Sequence, residues 1–377
     1  MKEVTIICDP IGTRASVQYS LVSMVIKCFK DYDTVRVVSP YIPHNHAERL
    51  MNEGATKIQS LAHEIGFFGR IMYKLEGNES MLWGVSWMFE AMFQTNSSLF
   101  YKVFRQQEKT VVLNMSYTVP VHSTIFWNLA TPPGETLRVM GATNLPAKIL
   151  HFFLNLGISA LDRKLRANII NRAEIFLNSS NYLQELYTSL GVKGSGILHI
   201  PRIFSSIEEP SENPQRDYVL AYIGKEVELD TVLKIAKRGV RIKAFGAKIP
   251  YGTSLTEIRK HIEFLGYVSE HELSVLYHNA LYTVFPFTEE PFGFVPIESM
   301  HFGTPVLSFN RQGPSETILD GKTGWLVNTK EELIEKAVNI WEKGQTGIDE
   351  IDCTERAAFF SLDKFETEIH MILGGLI

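Results

Sequence analysis

A chain of 377 residues with 45% hydrophobic and 21% charged side chains is long enough for two ordinary domains and too apolar to be disordered. Its formal charge of −5 argues against a nucleic-acid binder, which shows a basic surplus. Three cysteines, Cys8, Cys28 and Cys353, with no C-x-x-C pair or Cys/His cluster, indicate neither a disulfide framework nor a zinc site, and imply a reducing compartment.

The opening MKEVTIICDP enters a first strand at once, Val4 to Cys8, without the apolar core of a signal peptide. No apolar stretch approaches the ~18 residues of a membrane span, so a cytoplasmic location is expected. Asp9-Pro-Ile-Gly-Thr-Arg14 makes a loop before an apolar-periodic helix, Val17 to Phe29: the strand–loop–helix opening of a nucleotide-type α/β domain. It lacks G-x-G-x-x-G, and Gly12 reads either as a tight turn or as a point of close backbone approach to a ligand. Val35 to Ser39 is a second strand, followed by a loop and helix over Tyr41 to Glu53. Asp31-Tyr-Asp33, just before that strand, reads as a solvated turn. The aromatic stretch from Ile65 to Phe104 fits buried helices and also fits a platform for a lipid carrier.

Val111 to Met115 and Ser123 to Trp127 are two further strands. If the sheet is parallel, Asn114, Ser116 and Asn128 lie at its carboxyl edge, facing the cleft between domains. His122 is the nearest titratable group, and it also reads as a surface-loop histidine. A helical region over Ala147 to Arg172 combines an apolar stripe with Arg163, Lys164, Arg166 and Arg172. That pattern suits a peripheral membrane contact through 148–172, at the inner face of a membrane, and equally a helix packed on its own sheet. Glu174 to Gly194 reads as strand, Asn-Ser-Ser cap and helix, Ile197 to Pro201 as a last strand, and Ser205 to Gln215 as a linker.

The second half opens with a strand over Asp217 to Gly224, then strands at Arg241 to Gly246 and Ile262 to Val268, a helix at Glu270 to Tyr277, and a buried strand at Leu281 to Phe287. Glu289, Glu290, Pro291 and Gly293 form a turn into a helix, Phe294 to His301, which Gly303 and Pro305 end. Pro305 to Phe309 is the next strand, and helices close the chain over Lys330 to Lys343 and Thr354 to Leu373. Beyond the carboxyl ends of parallel strands, helix N-termini offer unpaired N–H groups suited to phosphate. Glu290 lies at that rim. Glu298, a little over two helical turns on, points roughly the same way, so the two acceptors can grip one elongated polyhydroxyl ligand.

The run Glu290-Pro-Phe-Gly-Phe-Val-Pro-Ile-Glu298, with Gly303-Thr-Pro-Val306, Gly313, Glu316 and Gly321-x-x-Gly324 behind it, resembles the E-x7-E signature of retaining GT-B glycosyltransferases, in particular family 4. The resemblance implies two Rossmann-like, doubly wound α/β domains facing a central cleft: residues 1–205 for the acceptor, a linker over 206–216, residues 217–353 for the nucleotide sugar, and a C-terminal helix over 354–377 crossing back to the first domain. It implies metal-independent, retaining transfer from a UDP-, GDP- or ADP-sugar to a glycan or lipid-linked acceptor, with no cofactor. Glu290 and Lys225 would serve catalysis. Gly12, Gly224, Tyr267, Val268, Phe292, Gly293, Phe294, Val295 and Glu298 would bind the donor, and Asn114, Ser116, His122 and Asn128 lie on the acceptor side. A retaining hydrolase needs carboxylates ~5 Å apart, whereas eight residues of helix rise span ~12 Å, which suits a clamp better than a nucleophile pair. The chain departs from the pattern at Gly12, which stands for a glycine pair. It departs again at Asn128, where enzymes acting on lipid-linked sugars often carry histidine, and at Asp230, where relatives place a second basic residue for the diphosphate. Those departures keep two alternatives in view, a non-catalytic GT-B sugar-nucleotide or glycan binder and a GT-B phosphorylase.

Overall fold

The computed structural model describes residues 2–12, 17–61, 71, 74, 110–116, 119, 121–132, 162–202, 213–224, 226–246, 255–344 and 347–375. The chain divides into two compact units, the first comprising Met1–Leu129, Leu161–Ser179 and Gln184–Ile203, and the second Ala130–Ala160, Ser180–Leu183 and Phe204–Ile377.

The first unit is built on a sheet of β1 (Glu3–Ile7), β2 (Thr34–Ser39), β3 (Lys57–Ser60), β4 (Val111–Asn114), β5 (Ser123–Asn128), β6 (Ala173–Asn178) and β7 (Gly196–Ile197). Its order is β3-β2-β1-β4-β5-β6-β7, and every pairing is parallel. Helices α1 (Val17–Lys27) and α2 (His44–Asn52) connect the early strands; α3 spans 162–172 and α4 is Asn181–Ser189. Val4 to Ile7 are buried throughout, as a strand covered on both faces by helices must be.

The second unit repeats the plan with β8 (Val219–Tyr222), β9 (Ile242–Phe245), β10 (Glu263–Gly266), β11 (Tyr282–Phe285), β12 (Val306–Phe309) and β13 (Gly324–Val327), ordered β10-β9-β8-β11-β12-β13, again all parallel. Its helices are α5 (Leu229–Lys237), α6 (Leu255–His261), α7 (Glu270–Asn279), α8 (Phe294–His301), α9 (Pro314–Thr317), α10 (Lys330–Lys343), α11 (Glu350–Ala358) and α12 (Leu362–Gly374). In both sheets the winding direction reverses between the first and fourth strands, at β1/β4 and at β8/β11. Ligands of open α/β sheets bind at such reversals.

Tyr218, Leu220, Phe245, Tyr277, Ala280 and Phe302 form a core cluster under the second sheet. Buried hydroxyls there are answered: Thr283 and Ser299 share a 2.7 Å hydrogen bond, and Ser308 donates to the Phe285 carbonyl. Helix starts follow side-chain caps, with a full capping box of Ser269 and Glu272 at α7 and Thr329 and Ser361 at α10 and α12, as their oxygens suit first-turn N–H groups.

Two strands escape the sequence reading, β3 and β13, and the strand expected over Ile197 to Pro201 is paired only at Gly196–Ile197. Most of the aromatic stretch over 65–104, residues 148–161 of the basic helix, and 206–212 of the linker lie outside the described residues.

Candidate functional site

The switch point of the second sheet is stitched together by backbone. The loop after β8 meets the loop after β11 through an antiparallel bridge between Val227 and Phe287. Glu228 N–H donates to the Pro286 carbonyl at 2.7 Å, and Thr288 donates to the Glu226 carbonyl from its N–H at 2.6 Å and from its hydroxyl at 2.9 Å. This lattice sets the height at which the chain leaves β11, and therefore where Glu290 arrives.

Glu290 is held from three directions. Its N–H donates to Gln312 Oε1 at 2.7 Å, and its carbonyl accepts from Gly313 N–H at 3.0 Å. Its own Oε1 accepts from the N–H groups of Gly293 at 2.9 Å and Phe292 at 3.2 Å. Gly293 caps α8 with φ 106°, a left-handed backbone that only glycine adopts freely, and a Cβ there would lie 3.0 Å from Thr317 Oγ1. Gln312 takes φ 54°, uncommon for a residue with a side chain, and it is this turn that brings its amide to Glu290.

Glu298 follows on α8, where Tyr277 of α7 donates its hydroxyl to Oε2 at 3.1 Å. Tyr222, at the end of β8, stands in the field of Glu226, Glu290 and Glu298. Its ring folds back over Gly224, where a Cβ would lie 2.5 Å from the phenol oxygen, so a larger residue there would have to displace the Tyr222 ring. Burial pushes the Glu290 carboxyl up to about 7; the charge of Glu226 adds to this, and the bonds from Gly293 and Phe292 pull it back. Burial likewise pushes Glu298 up to about 8, against the Tyr277 bond and with help from Glu270 and Glu290. Burial first, then Glu226, drives the Tyr222 hydroxyl well above the ordinary phenol range. The two carboxyls thus take up protons far more readily than exposed glutamates, while the phenol stays a donor.

Two expectations need correction. The N–H groups of Phe292 and Gly293 are not open to a ligand, because Glu290 occupies them; among the described residues those of Phe294 and Val295, in the first turn of α8, have no protein acceptor. Nor does helix rise set the spacing of Glu290 and Glu298. Glu290 precedes the helix and folds back on its start, and both carboxyls act on the same phenol.

Lys225 lies outside the described residues. Asp230 does not face a ligand unpaired: it is exposed on α5 and pairs with Lys234 at 2.7 Å. Two cations stand past the carboxyl ends of β11 to β13. Arg311 donates to the Phe287 carbonyl at 2.8 Å and Lys330 pairs with Glu228 at 2.9 Å. Tyr267 is 63% exposed after β10, while Val268 packs on the core cluster.

On the first sheet, Gly12 is buried in the loop after β1. Ser116 donates to Asp9 Oδ1 at 2.7 Å, its N–H reaches Asn114 Oδ1 at 2.9 Å, and Asn114 Nδ2 donates to the Val119 carbonyl at 3.1 Å. Asn114 and Ser116 therefore do come together at the β1/β4 switch point. Asn128 is buried with its amide on Asn178 Oδ1 at 2.7 Å, a partner that holds it within the sheet edge. His122 is misplaced as an acceptor-side group. It precedes β5, on the amino-terminal edge, and approaches Glu174 at the start of β6, 3.7 Å away. The sequence reading missed Tyr222, Glu226, Tyr277, Gln312 and Asp9. A signal existed for Tyr222 and Asp9, each at the end of the first strand of its sheet.

Residues 252–358 match the family described as Glycosyl transferases group 1. The chain is 25% identical over 225 residues to Alpha-1,3/1,6-mannosyltransferase ALG2 of Dictyostelium discoideum, covering 58% of this chain and 49% of that one. To ALG2 of Kluyveromyces lactis it is 24% identical over 258 residues, 63% of this chain and 48% of the relative. The chain thus spans about half the length of these curated relatives. Among solved structures, Anabaena Alr3699/HepE in complex with UDP superposes with a TM-score of 0.68 at 14% identity, over 99% of this chain and 100% of that one. WaaG, a glycosyltransferase involved in lipopolysaccharide biosynthesis, does so with a TM-score of 0.62 at 12% identity, over 98% and 99%. The chain has the GT-B glycosyltransferase fold.

Proposed function

We propose that the chain is a retaining, metal-independent hexosyltransferase that moves a sugar from a nucleoside-diphosphate sugar to a glycan or lipid-linked acceptor. The observation that carries the reading is the set of Glu290, Glu298 and Tyr222 gathered at the switch point of a Rossmann sheet, beside the N-terminus of α8. Glu298 holds the ribose hydroxyls and Glu290 fixes the loop that meets the sugar. The free first-turn N–H groups of α8, with Lys225, stabilise the departing diphosphate electrostatically, the part a divalent metal plays elsewhere. The acceptor oxygen bonds to the anomeric carbon as the bond to the phosphate oxygen breaks, and the acceptor proton passes to that phosphate oxygen. Mannose, the sugar in the names of the ALG2 relatives, is the first to try.

A membrane-linked acceptor draws support from α3. Leu165 and Ile169 are buried, so packing on its own unit explains part of the apolar stripe. The outer face still presents Arg163 and Lys164 with Ile170 at 60% exposure, which suits the surface of an anionic bilayer. Among the described residues no helix is long and apolar enough to cross one.

A second reading, a GT-B protein that binds without transferring, is favoured by Asn128, a group that cannot serve as acid or base and is tied to Asn178. One experiment separates them. Purified protein is incubated with UDP-, GDP- and ADP-linked glucose and mannose, with and without EDTA, and thermal shift and free sugar are read together. One nucleotide class should raise the melting temperature and release sugar slowly, EDTA making no difference. A shift without release leaves the binder, and no shift with any nucleotide rejects both.

A further inference from the structure

Glu226 carries an oxygen, Oε2, that solvent does not reach and that has no hydrogen-bond partner among the described residues. Buried acceptors are almost always answered, so an unanswered one asks for a missing donor. The residue is not free to swing away from its place. Its carbonyl accepts both Thr288 bonds, at 2.6 and 2.9 Å, which clamps its backbone to the loop after β11. The Tyr222 hydroxyl engages its carboxyl through charge and a hydrogen bond, which leaves the second oxygen unanswered, and its charge also reaches Glu290. The unmet oxygen thus belongs to a carboxyl that acts on both Tyr222 and Glu290, in the loop after β8 at the reversal of the sheet.

The chemistry of the missing partner is narrow. A phosphodiester oxygen has no proton to donate, so it leaves the acceptor unmet. A sugar hydroxyl is neutral, small and a donor. We infer that Glu226 accepts a hydrogen bond from a hydroxyl of the transferred sugar and so helps determine which sugar the site takes, an inference that rests on the glycosyl-transfer reading above. A site built around an acceptor for one hydroxyl rejects a sugar that lacks or inverts it, because the buried oxygen is then left unpaired again.

The test separates nucleotide from sugar. Wild type, Glu226→Ala and Glu226→Gln are titrated with UDP, GDP and ADP, and with the glucose and mannose derivatives of whichever nucleotide the wild type binds. All three proteins should bind the bare diphosphate alike. The extra affinity that the attached sugar brings should shrink about tenfold in E226A, and by less in E226Q, which keeps an acceptor oxygen. An unchanged sugar increment in E226A overturns the inference. So does a fall in affinity for the bare diphosphate in E226Q, which would make Glu226 a scaffold residue. A wild type that binds no nucleotide at all defeats the transferase reading itself, and this inference goes with it.

Discussion

The two switch points use the same topology to opposite ends. At the first, Asp9, Asn114, Ser116 and Val119 answer one another: Ser116 hydroxyl to Asp9 carboxylate, Asn114 amide to Val119 carbonyl, Ser116 N–H to Asn114 amide oxygen. At the second, desolvation raises two carboxyls to about 7 and about 8, and a third has an oxygen with no partner among the described residues. A polar edge that satisfies itself fixes backbone; an edge that leaves acceptors unmet is prepared for a ligand. The difference is what the proposed donor role of the second unit rests on.

That contrast can be broken most sharply at Glu298. Replacing it by alanine should lower kcat/KM for transfer by about 10²- to 10³-fold, the range seen when a preorganised polar group is removed from a site, and steady-state kinetics with saturating acceptor would show it. Gly293→Ala comes next. A Cβ at φ 106° and 3.0 Å from Thr317 Oγ1 should cost about 1–3 kcal/mol of stability, read as a lower urea midpoint at unchanged slope. The pH dependence of folding should follow the second edge as well. Glu290 and Glu298 have folded values raised from 4.5 to about 7 and about 8, so the native state binds protons the unfolded chain has released. Their contribution is fully present below pH ~4.5 and is lost as pH rises through 7 and 8, with a slope of up to about 1.4 kcal/mol per pH unit for each group. Melting temperatures should therefore fall from about pH 5 to about pH 8 and level off above, and Glu298→Gln should flatten the fall; a curve that rises over that span contradicts the assignment. The smallest effect sharpens the comparison from the other side. Ser116→Ala should cost about 1 kcal/mol of stability and leave the KM for donor where it was. A donor KM raised as much as in E298A would erase the distinction between the edges.

Much of the second unit could be read from sequence because its strands are short apolar runs buried on both faces, and its helix α8 is bracketed by Gly293 and Gly303. β3, with the sequence Lys-Ile-Gln-Ser, could not. An edge strand needs no apolar run, and only its pairing with β2 reveals it. The E-x7-E spacing singled out two glutamates that the structure gathers at the switch point, but not their wiring. That Glu290 turns back on its own helix depends on a left-handed glycine and on a glutamine more than twenty residues away, a long-range contact no local pattern encodes. His122 was a different kind of error. A residue just before a parallel strand belongs to the amino edge, so chain order already placed it away from the ligand side. Tyr222 and Glu226 were legible as residue types beside Gly224; their role emerges only once β8 and β11 are neighbours.

Gln312 carries a consequence for anyone who would engineer this chain. Its left-handed backbone makes it an obvious target for stabilisation, since glycine would relax the turn at once. The same exchange would remove the amide that holds Glu290 N–H. Relief of the backbone and the placement of Glu290 are thus set against each other at a single codon, and a screen for heat tolerance alone is blind to the loss of that contact.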